Sequence, residues 1–256
     1  MSETRIIVAG AGGRMGLALL AAAREEGAAV AGAVERPGHP AVGGSLGGVT
    51  VTDRLAALVD GGGVLLDFTT PAATLDNARL WAGAGSPMVI GTTGFSTADD
   101  AVIDGLARRA AIVRSGNFSL GVNLLAALVR KAAAALPASY DIEIVDAHHR
   151  AKVDAPSGTA LMLGRAAAAG RGVSLEEKMR FDRNGARDPG AIGMAVVRGG
   201  GIIGDHDVVF AGASETLMLS HRALDRSLFA KGALAAARWV AGRPPGLYSM
   251  TDVLGL

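Results

Sequence analysis

Five short apolar runs, at residues 5–9, 29–34, 64–68, 88–90 and 111–114, alternate with helix-like segments across the first half of the chain. Helices are expected over residues 14–26, 52–59, 72–84 and 97–109, with Asp53 close to the start of the second and Pro71 suited to the first turn of the third. Strands that are apolar throughout are buried on both faces. Alternation with helices implies crossover connections, so the pattern predicts a parallel sheet covered on both sides. Half of the residues are hydrophobic but only 4% are aromatic, so the core has to be built from Ala, Val, Leu and Ile.

The pattern then changes. A long apolar-rich helix is expected over 120–136, and residues 140–147 alternate as a strand of a mixed sheet does. A helix over 161–169 follows. Strand-like runs then appear at 195–198, 207–211 and 216–220, with no good helix between 178 and 221. Helix returns at 227–241, and 246–254 reads as a short tail. The expected class is α/β: a Rossmann-like parallel-sheet nucleotide domain plus an α+β domain with a mixed sheet. The boundaries fall near 119 and 228, on the pattern switch alone.

A net charge of +1 provides no global field for nucleic acid or an anionic membrane, so neither is expected as a partner. The absence of cysteine excludes disulfides, thiolate catalysis and cysteine-based zinc sites. No signal-peptide pattern precedes Ile6, and each alanine-rich run is interrupted before the roughly 20 apolar residues of a membrane span. A cytoplasmic protein is the expectation.

Gly10-Ala11-Gly12-Gly13-Arg14-Met15-Gly16 follows a strand and opens a helix, the context in which glycines cradle a dinucleotide pyrophosphate. Its spacing, Gly10-x-x-Gly13-x-x-Gly16, departs from the usual fingerprint. Glu35 ends the second strand about 20 residues later, where a ribose hydroxyl is usually held. Arg36 follows it, and a guanidinium suits the 2′-phosphate of NADP, so NADH and NADPH both remain open as cofactors. Gly91-Thr92-Thr93-Gly94 and Ser115-Gly116-Asn117-Phe118 also follow strands, at the sheet edge where ligands bind.

The segment from Glu143 to Ala160 concentrates chemistry of a second kind. His148, His149, Arg150 and Lys152 precede a Pro156-Ser157-Gly158-Thr159 turn and an alanine-rich helix. Proton-donating and cationic groups beside free N–H groups at a helix start suit a small dicarboxylate. A metal is a poor fit, because no Asp or Glu stands at a usual ligand spacing with both histidines. No nucleophile-elbow sequence is present for a hydrolase. Structural roles are expected for His39, His206 and His221.

These residues, together with Asp67-Phe68-Thr69, Asn117-Phe118-Ser119 with Gly121-Val122-Asn123, and Gly246-Leu247-Tyr248 through Asp252-Val253-Leu254, resemble the bacterial dihydrodipicolinate reductase family. The run from His148 to Thr159 is its most specific mark. The resemblance implies that Gly10, Ala11, Gly12, Gly13, Arg14 and Met15 cradle the pyrophosphate, with Glu35 and Arg36 at the adenosine ribose. Gly91, Thr92, Thr93, Ser115, Gly116, Asn117 and Phe118 complete the cofactor site. His148 is implied as catalytic proton donor or acceptor and Lys152 as proton donor, with His149, Gly158 and Thr159 binding substrate. One substrate carboxylate is expected on the backbone of Ser157, Gly158 and Thr159.

By the same resemblance, residues 1–118 and 229–256 form the dinucleotide-binding domain. Residues 119–228 form the substrate-binding and tetramerisation domain of a homotetramer, and the C-terminal helix returns to the nucleotide domain. The implied reaction is NAD(P)H-dependent reduction of a small cyclic dicarboxylate in lysine and diaminopimelate biosynthesis. Two departures stand out: Ala151, where some members carry a further histidine, and the run Gly199-Gly200-Gly201, where a polar residue is common. Rival readings are a dehydrogenase of the aspartate dehydrogenase type, which would not be expected to carry the run from His148 to Thr159, and a non-catalytic NAD(P) sensor, which needs the glycines alone.

Overall fold

The computed structural model describes residues 4–181 and 184–256. In chain order the first elements are β1 (Arg5–Ala9), α1 (Arg14–Glu25), β2 (Ala29–Val34), β3 (Ser45–Leu46), β4 (Val49–Thr52), a 3-10 helix (Leu55–Gly61), β5 (Val64–Asp67), α2 (Pro71–Trp81), β6 (Met88–Ile90), α3 (Thr97–Ala107) and β7 (Ala111–Arg114). A second 3-10 turn, Ala82–Ala84, extends α2. Then come α4 (Leu120–Ala135), β8 (Asp141–His148), α5 (Gly158–Arg171), α6 (Leu175–Lys178), β9 (Met179–Arg180), β10 (Ile192–Arg198), β11 (Asp205–Ala211) and β12 (Thr216–Arg222). The chain closes with α7 (Ser227–Val240), β13 (Gly246–Tyr248) and α8 (Met250–Leu254). Two compact units result, one from Met1–Leu120 with Ser227–Leu256, the other from Gly121–Arg226.

The first unit holds an eight-stranded sheet in the order β13-β7-β6-β5-β1-β2-β4-β3. All its pairings are parallel except the short β3–β4 hairpin. Both faces are covered, as uniformly apolar strands require. One core packs Ile6, Val8 and Leu66 with Leu19 of α1 and Leu234 of α7, and the other packs Ile7, Leu65 and Ile90 with Trp81 of α2 and Ile103 of α3.

Two expectations fail here. The helix expected over 52–59 is instead the end of strand β4 and a 3-10 helix. Val49-Thr50-Val51-Thr52 is β-branched at every position and pairs with β2 through Ala33↔Val51 and Val34↔Thr52, so sheet pairing overrides the weak helical pattern. The expected tail also contributes structure: Gly246–Tyr248 pairs parallel with β7 and covers that edge of the sheet.

The second unit is a five-stranded mixed sheet, β12-β11-β8-β10-β9. β8 runs parallel to β10 and antiparallel to β11. Its alternate residues Ile142, Ile144, Asp146 and His148 point to one face, where α4 and α5 supply Leu125, Val129, Leu163 and Ala167. Strand alternation therefore carries Asp146 and His148 on the buried face, at the end of the strand beyond the apolar core.

Candidate functional site

Strand order in the first unit reverses at β1, with β2 on one side and β5 on the other. Ligands of open α/β sheets bind outside the strand ends at such a reversal. The turn after β1 sits there. Gly10 has φ 67°, and the N–H of Gly13 donates to its carbonyl at 2.9 Å, closing the turn. Helix α1 backs directly onto it: a Cβ on Gly16 would collide with the backbone of Gly10 and Ala11. Gly16→Ala is therefore expected to displace the helix start and weaken NADH binding by roughly tenfold, since a shift of this kind misplaces the anion-binding N–H groups. Titration of nicotinamide fluorescence measures it, and unchanged affinity would count against this turn as the cradle.

The structure narrows which N–H groups are available. Those of Ala11, Gly12 and Gly13 donate to Val34 O (3.1 Å), Glu35 Oε1 (2.9 Å) and Gly10 O (2.9 Å). Helix α1, by contrast, has no side-chain cap at Gly13 and no acid in its first turn. The free donors of a helix start thus fall at Arg14 and Met15, which suit a pyrophosphate. Glu35 is buried and also accepts from the Arg36 N–H at 3.1 Å, while Arg36 is exposed.

At the next strand ends, Asp67 is fully buried. Its Oδ1 accepts from the N–H (3.0 Å) and hydroxyl (2.6 Å) of Thr69 and from the Thr74 hydroxyl (2.9 Å), and its Oδ2 accepts from Asn77 (2.7 Å). The Thr92 hydroxyl joins this network at 2.8 Å from that of Thr74. Thr92 is thus turned inward and fixes its loop, leaving Gly91 and exposed Thr93 at the surface of the sheet edge. Phe118 is also turned inward, its ring edge-on to Phe68 at 5.2 Å. Ser115 and Asn117 hold each other: the Ser115 hydroxyl donates to Asn117 O at 2.7 Å and accepts from its N–H at 3.2 Å. Of that loop, Gly116 is the exposed member.

In the second unit, β8 ends at His148. Strand register sets His206 of β11 opposite Asp146 and Arg198 of β10 opposite His148. The Asp146 carboxylate is 1% exposed, and its Oδ1 lies 2.8 Å from Nδ1 of His148 and 3.3 Å from Nε2 of His206. Its Oδ2 accepts from the Ser157 N–H at 2.7 Å and from Arg198 at 3.1 Å. Burial alone raises a carboxyl pKa, but here His206, the Ser157 N–H and Arg198 outweigh it and hold Asp146 below the usual carboxylate range.

For His148, burial dominates and lowers its pKa. Asp146 opposes that effect, while His206, Lys152 and Arg198 add to it. His148 is therefore neutral at neutral pH. Nδ1 lies 2.8 Å from Asp146 Oδ1 but out of line for a hydrogen bond; a proton on it is still preferred electrostatically to a bare nitrogen beside a carboxylate, which leaves the lone pair on Nε2. Nε2 faces Gly204, where an added Cβ would stand only 3.1 Å away.

The segment after β8 is fastened by the β10–β11 loop. The Gly199 N–H donates to His148 O at 2.9 Å, the Arg150 N–H donates to Gly200 O at 3.3 Å, and Arg198 reaches Asp154 O at 2.8 Å. The glycine run that departs from the family pattern is thus the strip of backbone that holds this segment. Lys152 Nζ lies 2.8 Å from the half-exposed carboxylate of Asp154, a pairing worth little in water, so the ammonium is free to exchange partners. His149 is half-buried, and Arg150 is exposed.

Ser157 corrects an expectation. It was expected to present its backbone to substrate, but its N–H is engaged by Asp146 and its hydroxyl caps Ala160 N–H at 3.1 Å beside His206 Nε2 at 3.2 Å. A capping serine at a buried helix start has to turn inward. Gly158 and Thr159, the first residues of α5, remain at the surface of the turn, exposed and half-buried respectively.

Asp146, His206 and Arg198 carried no signal in the sequence. Asp146, His148 and His206 also bring potential metal-ligand atoms within 4.8 Å of one another, a grouping that sequence spacing did not suggest. The other oxygen of Asp146 is already held by a guanidinium and an N–H, a donor set that fits a hydrogen-bonded cluster rather than a cation site.

Comparison with known proteins covers the whole chain. Residues 4–118 match the family described as dihydrodipicolinate reductase, N-terminus, and residues 121–254 match dihydrodipicolinate reductase, C-terminus. A 4-hydroxy-tetrahydrodipicolinate reductase of Bradyrhizobium diazoefficiens is 55% identical, covering 100% of this chain and 99% of the relative. One from Rhodopseudomonas palustris strain TIE-1 is 53% identical, covering 100% and 99%. Among solved structures, a dipicolinate-bound dihydrodipicolinate reductase from Paenisporosarcina sp. TG-14 superposes with TM-score 0.82 at 23% identity, covering 97% of this chain and 98% of that one. A probable dehydrogenase from Thermotoga maritima shares the fold at TM-score 0.64 and 11% identity, covering 97% and 92%.

Proposed function

Because the chain belongs to the dihydrodipicolinate reductase family, we propose that it reduces 4-hydroxy-tetrahydrodipicolinate to tetrahydrodipicolinate with NADH or NADPH, in lysine and diaminopimelate biosynthesis. The observation that carries the site assignment is the buried Asp146 carboxylate against His148, at the head of the loop that bears Lys152 and leads to the exposed start of α5. The glycine turn, the uncapped start of α1 and Glu35 fit a nicotinamide dinucleotide.

Departure of the substrate's 4-hydroxyl as water leaves a conjugated double-bond system in the cyclic dicarboxylate, to which the cofactor, when bound, would supply hydride. The residues of this chain then supply charge and protons. Lys152 Nζ, an ammonium, donates the proton that balances the added hydride. His148 stays neutral and offers the Nε2 lone pair as acceptor, and Asp146 stabilises the ring whenever it takes up a proton. The N–H groups of Gly158 and Thr159 at the start of α5 take a substrate carboxylate, with His149 beside them. Arg14 and Met15 take the pyrophosphate, and Glu35 with Arg36 takes the adenosine ribose.

Oxidation of NAD(P)H, with the substrate generated in place by a coupled synthase, tests the reading. Turnover is expected with at least one cofactor. Cofactor binding without turnover would favour the sensor reading instead.

The homotetramer is proposed on the open face of the mixed sheet. That face carries Val197 at 47% and Met218 at 56% exposure, with Val145 and Val209 between them in the strand register. These apolar side chains are interspersed on the same face with Glu143, Asp207 and Arg222, and an exposed apolar patch rimmed by polar residues marks an association site. Light scattering is expected to report four chains, and Met218→Arg to reduce that mass. A wild-type monomer would remove the proposal. No helix among the described residues is long and apolar enough to cross a membrane, which agrees with the cytoplasmic location we propose.

A further inference from the structure

The loop after β2 presses an imidazole against the glycine turn. The position that a Cβ of Gly12 would occupy lies 2.5 Å from Cε1 and 3.3 Å from Nδ1 of His39, and 3.3 Å from Oε1 of Glu35. Ring and carboxylate therefore converge on one spot, beside the residue whose N–H Glu35 accepts at 2.9 Å. The backbone holds His39 on both sides: its N–H donates to Arg36 O at 3.1 Å, and its carbonyl accepts from the Val42 N–H at 3.0 Å.

The ring's tautomer follows from its own contacts. The Ala41 N–H donates to Nδ1 of His39 at 3.2 Å. A nitrogen that accepts a hydrogen bond carries no proton, so the ring proton is on Nε2, which is a donor in a fixed direction. The catalytic chemistry makes no use of this group, and its structural duties are met by Nδ1 and the backbone.

Resting on the reading of this chain as a nicotinamide-dependent reductase, we propose that His39 reads the 2′ position of the cofactor's adenosine ribose, donating from Nε2 to the 2′-phosphate of NADPH. An acid at the end of β2 holds the ribose and repels a 2′-phosphate. Here both oxygens of Glu35 already accept backbone N–H groups, from Gly12 and Arg36. Those bonds draw off part of the repulsion. Two donors then lie within four residues of that acid: the exposed Arg36 guanidinium and Nε2–H of His39. This arrangement admits NADPH without excluding NADH, and it makes His39 the residue whose loss separates the two cofactors.

The test is titration of nicotinamide fluorescence with NADPH and with NADH at one ionic strength, on the full-length wild type, His39→Ala and His39→Gln. His39→Ala is expected to weaken NADPH about tenfold and NADH less than about twofold, the loss of one hydrogen bond to a charged group. His39→Gln, which can place an amide N–H near the lost Nε2, is expected to restore most of the NADPH affinity. Equal weakening of both cofactors would mean that His39 only props the turn, and no change in either would mean that it touches neither; both results overturn the proposal. If His39→Ala melts below the assay temperature, the wild type answers alone. There, 2′,5′-ADP is expected to displace NADPH more strongly than 5′-AMP does, and parity overturns the proposal. Failure of the underlying reading is separate: it is a wild type that turns over substrate with neither cofactor.

Discussion

Lys152→Ala is expected to lower kcat about a thousandfold, with the dissociation constants for NADH and NADPH held within about twofold, the span of a lost general acid. The physical argument rests on which group has a proton to give. His148 is kept neutral by burial and by the cationic charge of Lys152 and Arg198, and its Nδ1 lies against the Asp146 carboxylate. Lys152 is the charged donor on the same short loop, and its present partner, Asp154, is half-exposed. Cofactor affinity is expected to hold because the glycine turn and Glu35 belong to the other structural unit. Steady-state kinetics with the coupled synthase measures the first quantity and fluorescence titration the second. Near-normal turnover in this variant would remove Lys152 as donor, and a lysine-to-arginine exchange that fails to rescue would be consistent with the need for a group able to release its proton.

Asp146→Asn is expected to lower kcat about a hundredfold and to move the acidic limb of the kcat/KM profile to lower pH, as the tuning of a general base by a neighbouring carboxylate requires. The sign follows from the electrostatics. Asp146 is the group that favours the protonated form of His148, against burial and against His206, Lys152 and Arg198. Removing its charge makes the imidazole harder to protonate, so its titration moves down in pH. Activity that needs the neutral ring is then retained to lower pH, although the maximum falls because the protonated ring loses its counter-ion. The same change takes the acid away from half-buried Arg198, so the variant's thermal melt should be lower as well. A hundredfold loss with an unmoved limb would indicate a purely structural role for Asp146. An unchanged kcat would dissociate the cluster from the chemistry.

Most of the fold was legible because its signals are local. Strand runs such as Ala29–Val34 and Met88–Ile90 are apolar, short and bounded by turn residues. Helix α5 begins three residues earlier than its apolar periodicity suggests, since Ser157 caps it before the alanine run starts. β4 was illegible for a different reason: Thr52 reads equally well before a helix, and only the unpaired edge of β2 decides that the backbone runs straight. Gly246–Tyr248 has no strong strand pattern of its own, and it becomes a strand because β7 offers it an edge.

The candidate site divides along the same line. His148, His149, Lys152, the Ser-Gly-Thr turn and Gly10–Gly16 are contiguous in sequence, so their chemistry can be read without coordinates. Ser157 was misread because a serine at a helix start serves equally to cap or to bind, and the choice depends on what lies behind it.

By itself, the order of residues determined the alternation of strands and helices, the glycine turn and the cationic run, since propensity, turn chemistry and periodicity act over a few neighbours. Only tertiary structure decided that one carboxylate from β8 would be shared between His148 and an imidazole from β11, with an arginine from β10 against it. Arg198 and His206 lie some fifty residues or more beyond Asp146 in sequence. Which residues of these strands meet is set by sheet order and register, and a shift of one residue would have turned Asp146 to the opposite face.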